Sequence, residues 1–238
     1  MDISRIIRKL IADIDILLGK AKYSYSQFGE DLIVDSFFSM GLQKSNPTYL
    51  DIGTNSPVVG NNTYIFYLRK CKGVCVEPDI HLYKKIIAKR PNDTVLNVGA
   101  GVNDIKEGVF YYFPEPYTGW NTFSKTEAEQ KKSQTGIAYK EDKVVPFVNI
   151  NDIISGHFDT CPDFVSVDVE GLDFEIIKSL DFDKYRPSVF CIETMEFNNM
   201  KLGKKNTQVA TYLEEKGYVA YADTYVNTIF VRKDLLTV

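Results

Sequence analysis

The sequence lacks the features that mark several classes of protein. No uncharged apolar run approaches the ~20 residues of a membrane-spanning helix. Among four cysteines and two histidines, only Cys71 and Cys75 lie close together, so a structural zinc site is not expected. The net charge is −4 and no stretch is rich in lysine and arginine, which argues against a nucleic-acid partner. Without a secretory leader pattern, reduced cysteines favour a cytoplasmic protein.

The composition is that of an ordinary globular protein. The chain has 238 residues, of which 44% are hydrophobic and 25% charged, with fifteen phenylalanines and fifteen tyrosines. A chain of this size buries on the order of 70% of its unfolded surface, so it can form a sizeable core without disulfides. We therefore expect one folded domain.

An amphipathic pattern occupies residues 2–19. Its apolar residues follow the 4-3-4-3 spacing of a helix, at Ile3, Ile7, Leu10, Ile14 and Leu17. Three roles are open for this helix: packing on its own domain, self-association into a homo-oligomer, or contact with a membrane surface. We expect a helical extension over residues 1–22, followed by a domain over residues 23–238.

From residue 48 the chain alternates short apolar strands with helical patterns. The strands are predicted at residues 48–53, 73–78, 94–99, 164–171 and 188–193, and the helices at 62–71, 79–90, 172–180 and 205–216. Nearly continuous apolar strands are typical of a parallel sheet buried on both faces. Residues 218–232 read as a terminal hairpin, which adds an antiparallel strand. The pattern predicts a three-layer α/β sandwich with a mostly parallel sheet.

Residues 108–147 interrupt this alternation. A strand over 108–113 is followed by an aromatic, turn-rich stretch and then by a polar one, which we expect to form a short helix or a mobile loop. A long excursion inside a compact domain is usually functional or disordered. We expect residues 114–143 to form a wall of the substrate site, with Trp120, Thr122 and Ser124 near the acceptor.

Polar side chains follow the predicted strands directly. In an open parallel sheet, ligands bind beyond the carboxyl ends of the strands. A dinucleotide would need a G-x-G-x-x-G turn for its pyrophosphate, but only Gly53 follows the first strand. A nucleoside ligand without a pyrophosphate would still need a carboxylate for its ribose, and Glu77 stands at the second strand end. S-adenosylmethionine is such a ligand.

Seven motifs in order resemble the FkbM-type methyltransferase family. They are YSQFGED (25–31), LDIGTNSP (50–57), NT (62–63), VEP (76–78), RP (90–91), SVDVEG (166–171) and RP (186–187). The resemblance covers about residues 23–232 and leaves residues 1–22 outside. It implies a Rossmann-like class I fold that binds S-adenosylmethionine. It also implies methyl transfer to hydroxyl groups of saccharides and other small metabolites.

The resemblance also implies roles for individual residues. Gly53 and Asn55 would line the methionine moiety, and Glu77 with Pro78 would hold the ribose. The adenine would face Asn97, Gly99 and Ala100. Gln27 and Asp31 would lie on a helix over the cofactor. For Asp51, direct contact with the cofactor and a buried role orienting the Gly53 turn are both open.

The catalytic group has three candidates. A hydroxyl is a poor nucleophile and benefits from a general base or a metal. Asp168 is the best-placed base, and Glu193 and Glu170 are the others. Asp168 and Glu193 could instead hold Mg²⁺, a hard cation suited to carboxylates. Asp168 and Glu170 would face the same side only if their strand continued through Gly171.

Two other functions remain open. One is an enzyme on a similar sheet that uses NAD(P) or another nucleotide. The second is a methyltransferase-like module that serves as a scaffold without catalysis. The carboxylates retained at the strand ends argue against the scaffold, whereas the missing phosphate turn argues against the dinucleotide.

Overall fold

The computed structural model describes residues 14, 18–19, 21–102, 105–195 and 203–236, with the backbone alone at 142 and 143. The helix expected over residues 2–19 falls outside the described residues except at positions 14, 18 and 19, so its role stays a prediction. Within the described ranges, no helix is long and apolar enough to cross a membrane.

The described residues form strands and helices in the predicted alternation. The strands are β1 (Tyr49–Ile52), β2 (Gly73–Val76), β3 (Thr94–Leu96), β4 (Gly99–Gly101), β5 (Glu107–Tyr112), β6 (Lys140–Asn149), β7 (Phe164–Val167), β8 (Val189–Glu193), β9 (Tyr218–Asp223) and β10 (Asn227–Arg232). The helices are α1 (Glu30–Ser36), α2 (Tyr64–Leu68), α3 (Ile80–Lys89), α4 (Lys125–Thr135), α5 (Ile150–His157), α6 (Asp173–Ser179) and α7 (Thr207–Glu215). Helix α1 continues into a π-helical turn, Phe37–Gly41.

The main sheet has seven strands in the order β3-β2-β1-β7-β8-β10-β9. Strands β1, β2, β3, β7 and β8 run parallel, and β10 pairs antiparallel with both β8 and β9. This confirms the predicted Rossmann-like sheet, mostly parallel and ending in an antiparallel hairpin. Strands β1, β2 and β7 are buried along their whole length, which explains their continuous apolar sequences.

Apolar clusters cover both faces of this sheet. One face packs against α5, α6 and α7 through residues such as Ile153, Ile176 and Val209. The opposite face packs against α1 and α2 through Val34 and Phe66. Side chains of successive strand residues point to opposite faces, so neighbouring residues of β1 belong to different clusters. The result is the predicted three-layer sandwich.

The excursion after β3 is more ordered than the sequence predicts. It forms a second sheet in the order β4-β6-β5, with α4 inserted between β5 and β6. Residues 114–143 contain a short 3₁₀ turn, Thr118–Trp120, the whole of α4 and the beginning of β6, so the polar part forms the helix that was one of its two predicted alternatives. Phe147 of β6 packs against Gly99, where any side chain would overlap the phenylalanine ring. Gly99 belongs to β4, so this contact holds β4 against β6 within the second sheet.

A buried ionic network lies under the end of β1. Arg90 is fully buried, and its guanidinium donates to Asp93 at 2.7 Å and to Thr63 at 2.9 Å. It also lies 3.7 Å from Asp51, which accepts hydrogen bonds from Thr63 and Asn61 at 2.7 and 3.0 Å. Buried charges need such partners, because an unpaired charge is costly in a low-dielectric interior.

Replacing Arg90 by methionine should destabilise the protein strongly. The Arg90→Met variant keeps much of the volume but leaves Asp51 and Asp93 without their cation, at an expected cost of about 3–5 kcal/mol in the free energy of unfolding. Urea denaturation measures this cost. Lys89→Met, at the exposed neighbouring position, should change the free energy by less than about 0.5 kcal/mol. Equal effects of the two substitutions would contradict the structural role of the network.

Candidate active site

A cavity of about 280 Å³ opens at the carboxyl ends of the parallel strands. Its walls include many of the residues predicted from the strand ends, namely Gln27, Gly53, Asn55, Glu77, Pro78, Gly99, Ala100, Trp120, Asp168, Glu170 and Glu193. The cavity lies where β1 neighbours β7 and the strand order reverses, which is the expected position of a ligand in such a sheet.

Gly53 allows the loops after β1 and β7 to touch. Its φ is +81°, and a Cβ at this position would overlap the carbonyl oxygen of Asp168. The backbone N–H of Asp168 donates to the carbonyl of Ile52 at 3.0 Å, and the N–H of Gly53 donates to Val76 at 3.0 Å. These contacts bring the loops after β1, β2 and β7 to one cavity, and they require glycine at position 53.

Glu77 is fixed at the end of β2 by two backbone donors. Its carboxylate oxygens accept from the N–H groups of Asn55 and Asp79, both at 2.8 Å. Burial raises the pKa of Glu77 to about 8, although both hydrogen bonds favour the ionised form. Asn97, expected at the adenine, instead donates to the carbonyls of Glu77 and Pro78 at 2.9 Å. It does not line the cavity and holds the β2 end in place.

The segment before α1 brings Gln27 to the cavity. Gln27 lies in the turn that precedes α1, not on the helix as expected. Asp31 does not line the cavity either, because its carboxylate is buried and accepts from the N–H of Tyr25 and the hydroxyls of Ser24 and Ser26 at 2.7–2.8 Å. Asp31 therefore orders the turn that carries Gln27. Asp51 likewise lies behind the cavity, in the Arg90 network, and supports the alternative in which it orients the Gly53 turn.

Three carboxylates meet at the other end of the cavity. One oxygen each from Asp168, Glu170 and Glu193 lies within 4.8 Å of the others. We expected Asp168 and Glu170 to share a side only if their strand continued, but β7 ends at Val167. A tight turn with φ of +51° at Glu170 brings the two together instead. Asp173 supports this turn by accepting from the N–H groups of Val169 and Gly171 at 3.1 and 3.3 Å.

Burial raises the pKa values of this cluster above those of exposed carboxyl groups. Burial and the charge of Asp51 raise the pKa of Asp168, even though this side chain opens onto the cavity. Burial also raises the pKa of Glu193, and Asp168 and Glu170 raise it further. The pKa of Glu170 is raised by burial as well, but the nearby ammonium of Lys131 opposes this shift. Perturbed carboxyl groups in a cavity are typical of acid–base sites.

The excursion forms the wall opposite the strand ends. Trp120 lines the cavity and stacks on Tyr117, with ring centroids 4.7 Å apart. Thr122 and Ser124, expected beside the acceptor, do not line it. Thr122 donates its hydroxyl hydrogen to the carbonyl of Glu170 at 2.8 Å, and Ser124 caps α4 by accepting from the N–H of Glu127 at 3.2 Å. Both therefore attach the wall to the rest of the site.

Sequence reasoning missed further residues of the site, among them Phe110, Phe123 and Lys131. Phe110 and Phe123 line the cavity, and their ring centroids are 4.5 Å apart. The aromatic content of residues 108–123 was a signal for them, but it did not show which rings face the ligand. Lys131 was missed as well, although its ammonium lies 3.4 Å from Glu170. A lysine in a polar stretch carries no sign that it is buried.

The fold and the cavity together define a Rossmann-like α/β protein with its ligand site at the strand ends. The family profile described as Methyltransferase FkbM domain matches residues 51–220. The chain belongs to this methyltransferase family, as its motifs indicated. No curated protein sequence matches the chain.

Several solved methyltransferase structures are similar to this chain at low identity. A TehB-like SAM-dependent methyltransferase from Corynebacterium glutamicum is 10% identical, with 95% of this chain and 97% of that chain covered and a TM-score of 0.42. The O-methyltransferase from Bacillus cereus in complex with SAH is 9% identical, with 93% and 88% covered and a TM-score of 0.42. The match to the family profile is therefore what places the chain in this family.

Gly53→Ala tests the contact between the loops after β1 and β7. The methyl group overlaps the Asp168 carbonyl and the backbone has a positive φ, so we expect a loss of roughly 2–4 kcal/mol in the free energy of unfolding. Gly136→Ala is the matched control. Gly136 has a φ of +73° but open space around it, so its cost should be about 1 kcal/mol. Equal losses in urea denaturation would show that the contact itself is unimportant.

Proposed function

We propose that the protein is an S-adenosylmethionine-dependent O-methyltransferase whose acceptor is a hydroxyl of a saccharide or another small polyol-like metabolite. The observation that carries this proposal is one cavity that joins Glu77 to the cluster of Asp168, Glu170 and Glu193 in a member of the FkbM family. One end of the cavity suits a ribose, and the other suits a reacting hydroxyl.

The residues present fit this cofactor. Glu77 offers carboxylate oxygens to the two hydroxyls of a ribose, and Asn55 lies beside it. Gly99, Ala100 and the ring of Phe123 line the same cavity and are the residues that would face a flat base. The carboxylates of Asp168, Glu170 and Glu193 complement the positive charges of a sulfonium and an ammonium group. The sequence has no glycine-rich turn after β1 that could hold a pyrophosphate.

The chain's own residues align the acceptor and remove its proton. The bound cofactor supplies an activated methyl group on sulfur. Asp168 opens onto the cavity and accepts the proton of the acceptor hydroxyl as the methyl group is transferred. Trp120 offers a flat apolar face for the acceptor. Alignment of this kind can contribute roughly 7–11 kcal/mol in favourable systems.

Glu77→Gln should weaken binding of S-adenosylhomocysteine. At pH 9, above the pKa of about 8, Glu77 is ionised and the substitution removes a charged acceptor of the ribose hydroxyls. The loss should be about 1.5–3 kcal/mol, or roughly 10–100-fold in Kd by calorimetry at that pH. Glu175→Gln, on an exposed position of α6, should leave the affinity unchanged. NADH serves as the control ligand.

Two results of the same calorimetry would overturn the cofactor assignment. Saturable binding of NADH by folded wild-type protein, without binding of S-adenosylhomocysteine, would favour the dinucleotide enzyme. Binding of neither ligand would favour the scaffold.

Asp168→Asn should separate binding from catalysis. The amide keeps the shape of the side chain but cannot take a proton, so we expect S-adenosylhomocysteine to bind within a few-fold of wild type. Release of S-adenosylhomocysteine, assayed with a panel of sugars and polyols, should fall at least ~100-fold, in line with the usual contribution of a general base. Asp152→Asn, on the surface of α5, is the control. Full turnover by Asp168→Asn would exclude Asp168 as the base.

A further inference from the structure

Helix α4 carries a buried lysine, Lys131, which has no role in the reaction proposed above. Its sequence, KTEAEQKKSQT, is almost wholly polar, and only Ala128 and Lys131 are buried. Lys131 is 6% exposed. The two residues are three positions apart, so they share the helix face that is turned toward the domain. A lysine seldom occupies such a position without a partner.

The partner of Lys131 belongs to the carboxylate cluster. The ammonium nitrogen lies 3.4 Å from the Oε2 atom of Glu170. It also lies 5.6 Å from the ring centroid of Trp120, within the range of a cation–π contact. Glu170 and Trp120 both line the cavity, so this one cation connects the acid cluster to the aromatic wall.

Helix α4 is held firmly against the turn that bears the acids. Thr122, just ahead of the helix, donates to the carbonyl of Glu170 at 2.8 Å. A Cβ on Gly171 would lie 3.0 Å from Cγ of Glu127, so the helix touches this turn directly. On the same face, Ala128 packs in a cluster with Tyr111 and Phe113. The position of Lys131 beside Glu170 therefore follows from the packing of the whole helix.

The charges decide which carboxylate is left for catalysis. Three carboxylates within 4.8 Å of one another repel, and a nearby cation relieves this repulsion for the group that it contacts. Lys131 lies within ion-pair distance of Glu170, and its charge also opposes the rise in the pKa of Asp168 and of Glu193. A paired Glu170 is held against α4, whereas Asp168 stays open to the cavity.

We propose that Lys131 is a positioning residue for the methyl transfer. By pairing with Glu170 it prevents that carboxylate from acting as the base, so that Asp168 accepts the proton of the acceptor hydroxyl. This inference rests on the proposed function. The inference also gives the excursion, residues 108–147, a role in the reaction, because α4 supplies the cation.

The test compares single and double variants, each assayed with an acceptor that the wild-type protein methylates. Lys131→Met should bind S-adenosylhomocysteine within about three-fold of wild type but lose at least ~10-fold in kcat, with a smaller change in acceptor KM. Lys131→Arg should restore most of the kcat, because it keeps the cation. The double variant Lys131→Met with Glu170→Gln should have a higher kcat than Lys131→Met alone, since it no longer contains the unpaired carboxylate.

Lys132→Met is the control for the helix itself. Lys132 is the next residue, half-exposed, with its ammonium 3.9 Å from a carboxylate oxygen of Glu129. Its replacement should leave kcat and cofactor affinity at the wild-type values. Equal losses from Lys132→Met and Lys131→Met would point to damage of α4 and overturn the assignment.

Different results contradict this inference and the proposed function. If Lys131→Met has the kcat of the wild-type protein, or if the double variant has no higher kcat than Lys131→Met, the role of Lys131 is wrong. Either result would leave the proposed methyltransferase function unaffected. If Lys131→Met does not fold, the kcat of the Glu170→Gln variant tests the inference. It should lower kcat less than Asp168→Asn does, and an equal or greater loss would overturn the inference. Failure of the wild-type protein to bind S-adenosylhomocysteine would instead defeat the proposed function.

Discussion

The rest of the site depends on the close approach of two loops, those after β1 and β7. Strands β1 and β7 are parallel neighbours in the sheet. The chain continues from β1 toward the β3 edge and from β7 toward the β9 edge. At Gly53 the backbone passes so close to the Asp168 carbonyl that no side chain fits between them. The same residue also donates its N–H to the carbonyl of Val76, the residue before Glu77, so Gly53 contacts the strand ends on both sides. A ligand that reaches from one to the other therefore meets a spacing determined by backbone, which changes less than side chains do.

A second layer of buried polar residues holds this arrangement. Asp51 and Arg90 lie under the β1 end, Asp173 holds the turn after β7, and Asn97 bonds to the backbone after β2. Asp31 does the same for the turn before α1. Each of these side chains bonds to loop backbone or to a neighbouring polar group rather than facing the cavity. The polar residues at the strand ends thus form two layers, one that meets the ligand and one that shapes the loops.

The sequence predicted the sheet, its antiparallel end and many of the residues that face the cavity, because buried parallel strands and the polar residues after them are local patterns. It expected Glu77 at the cavity but left two roles open for Asp51, which lies behind it. Asp51 is close to the end of β1, where side-chain alternation alone does not show which residues reach the ligand. The clustering of Asp168 with Glu170 depends on a turn with a positive φ, which the residue spacing does not reveal. Lys131 was missed because α4 lacks the apolar stripe that marks a buried helix face.

The second sheet and α4 have a consequence for how such a protein diversifies. The excursion supplies both the aromatic wall at Trp120 and the cation at Lys131. A homologue that exchanged this segment for another would change the shape of its acceptor pocket and the charge balance of its acidic cluster in a single event. Engineering by loop grafting meets the same coupling. A transplanted excursion that fits a new acceptor would also need a cation of its own opposite Glu170.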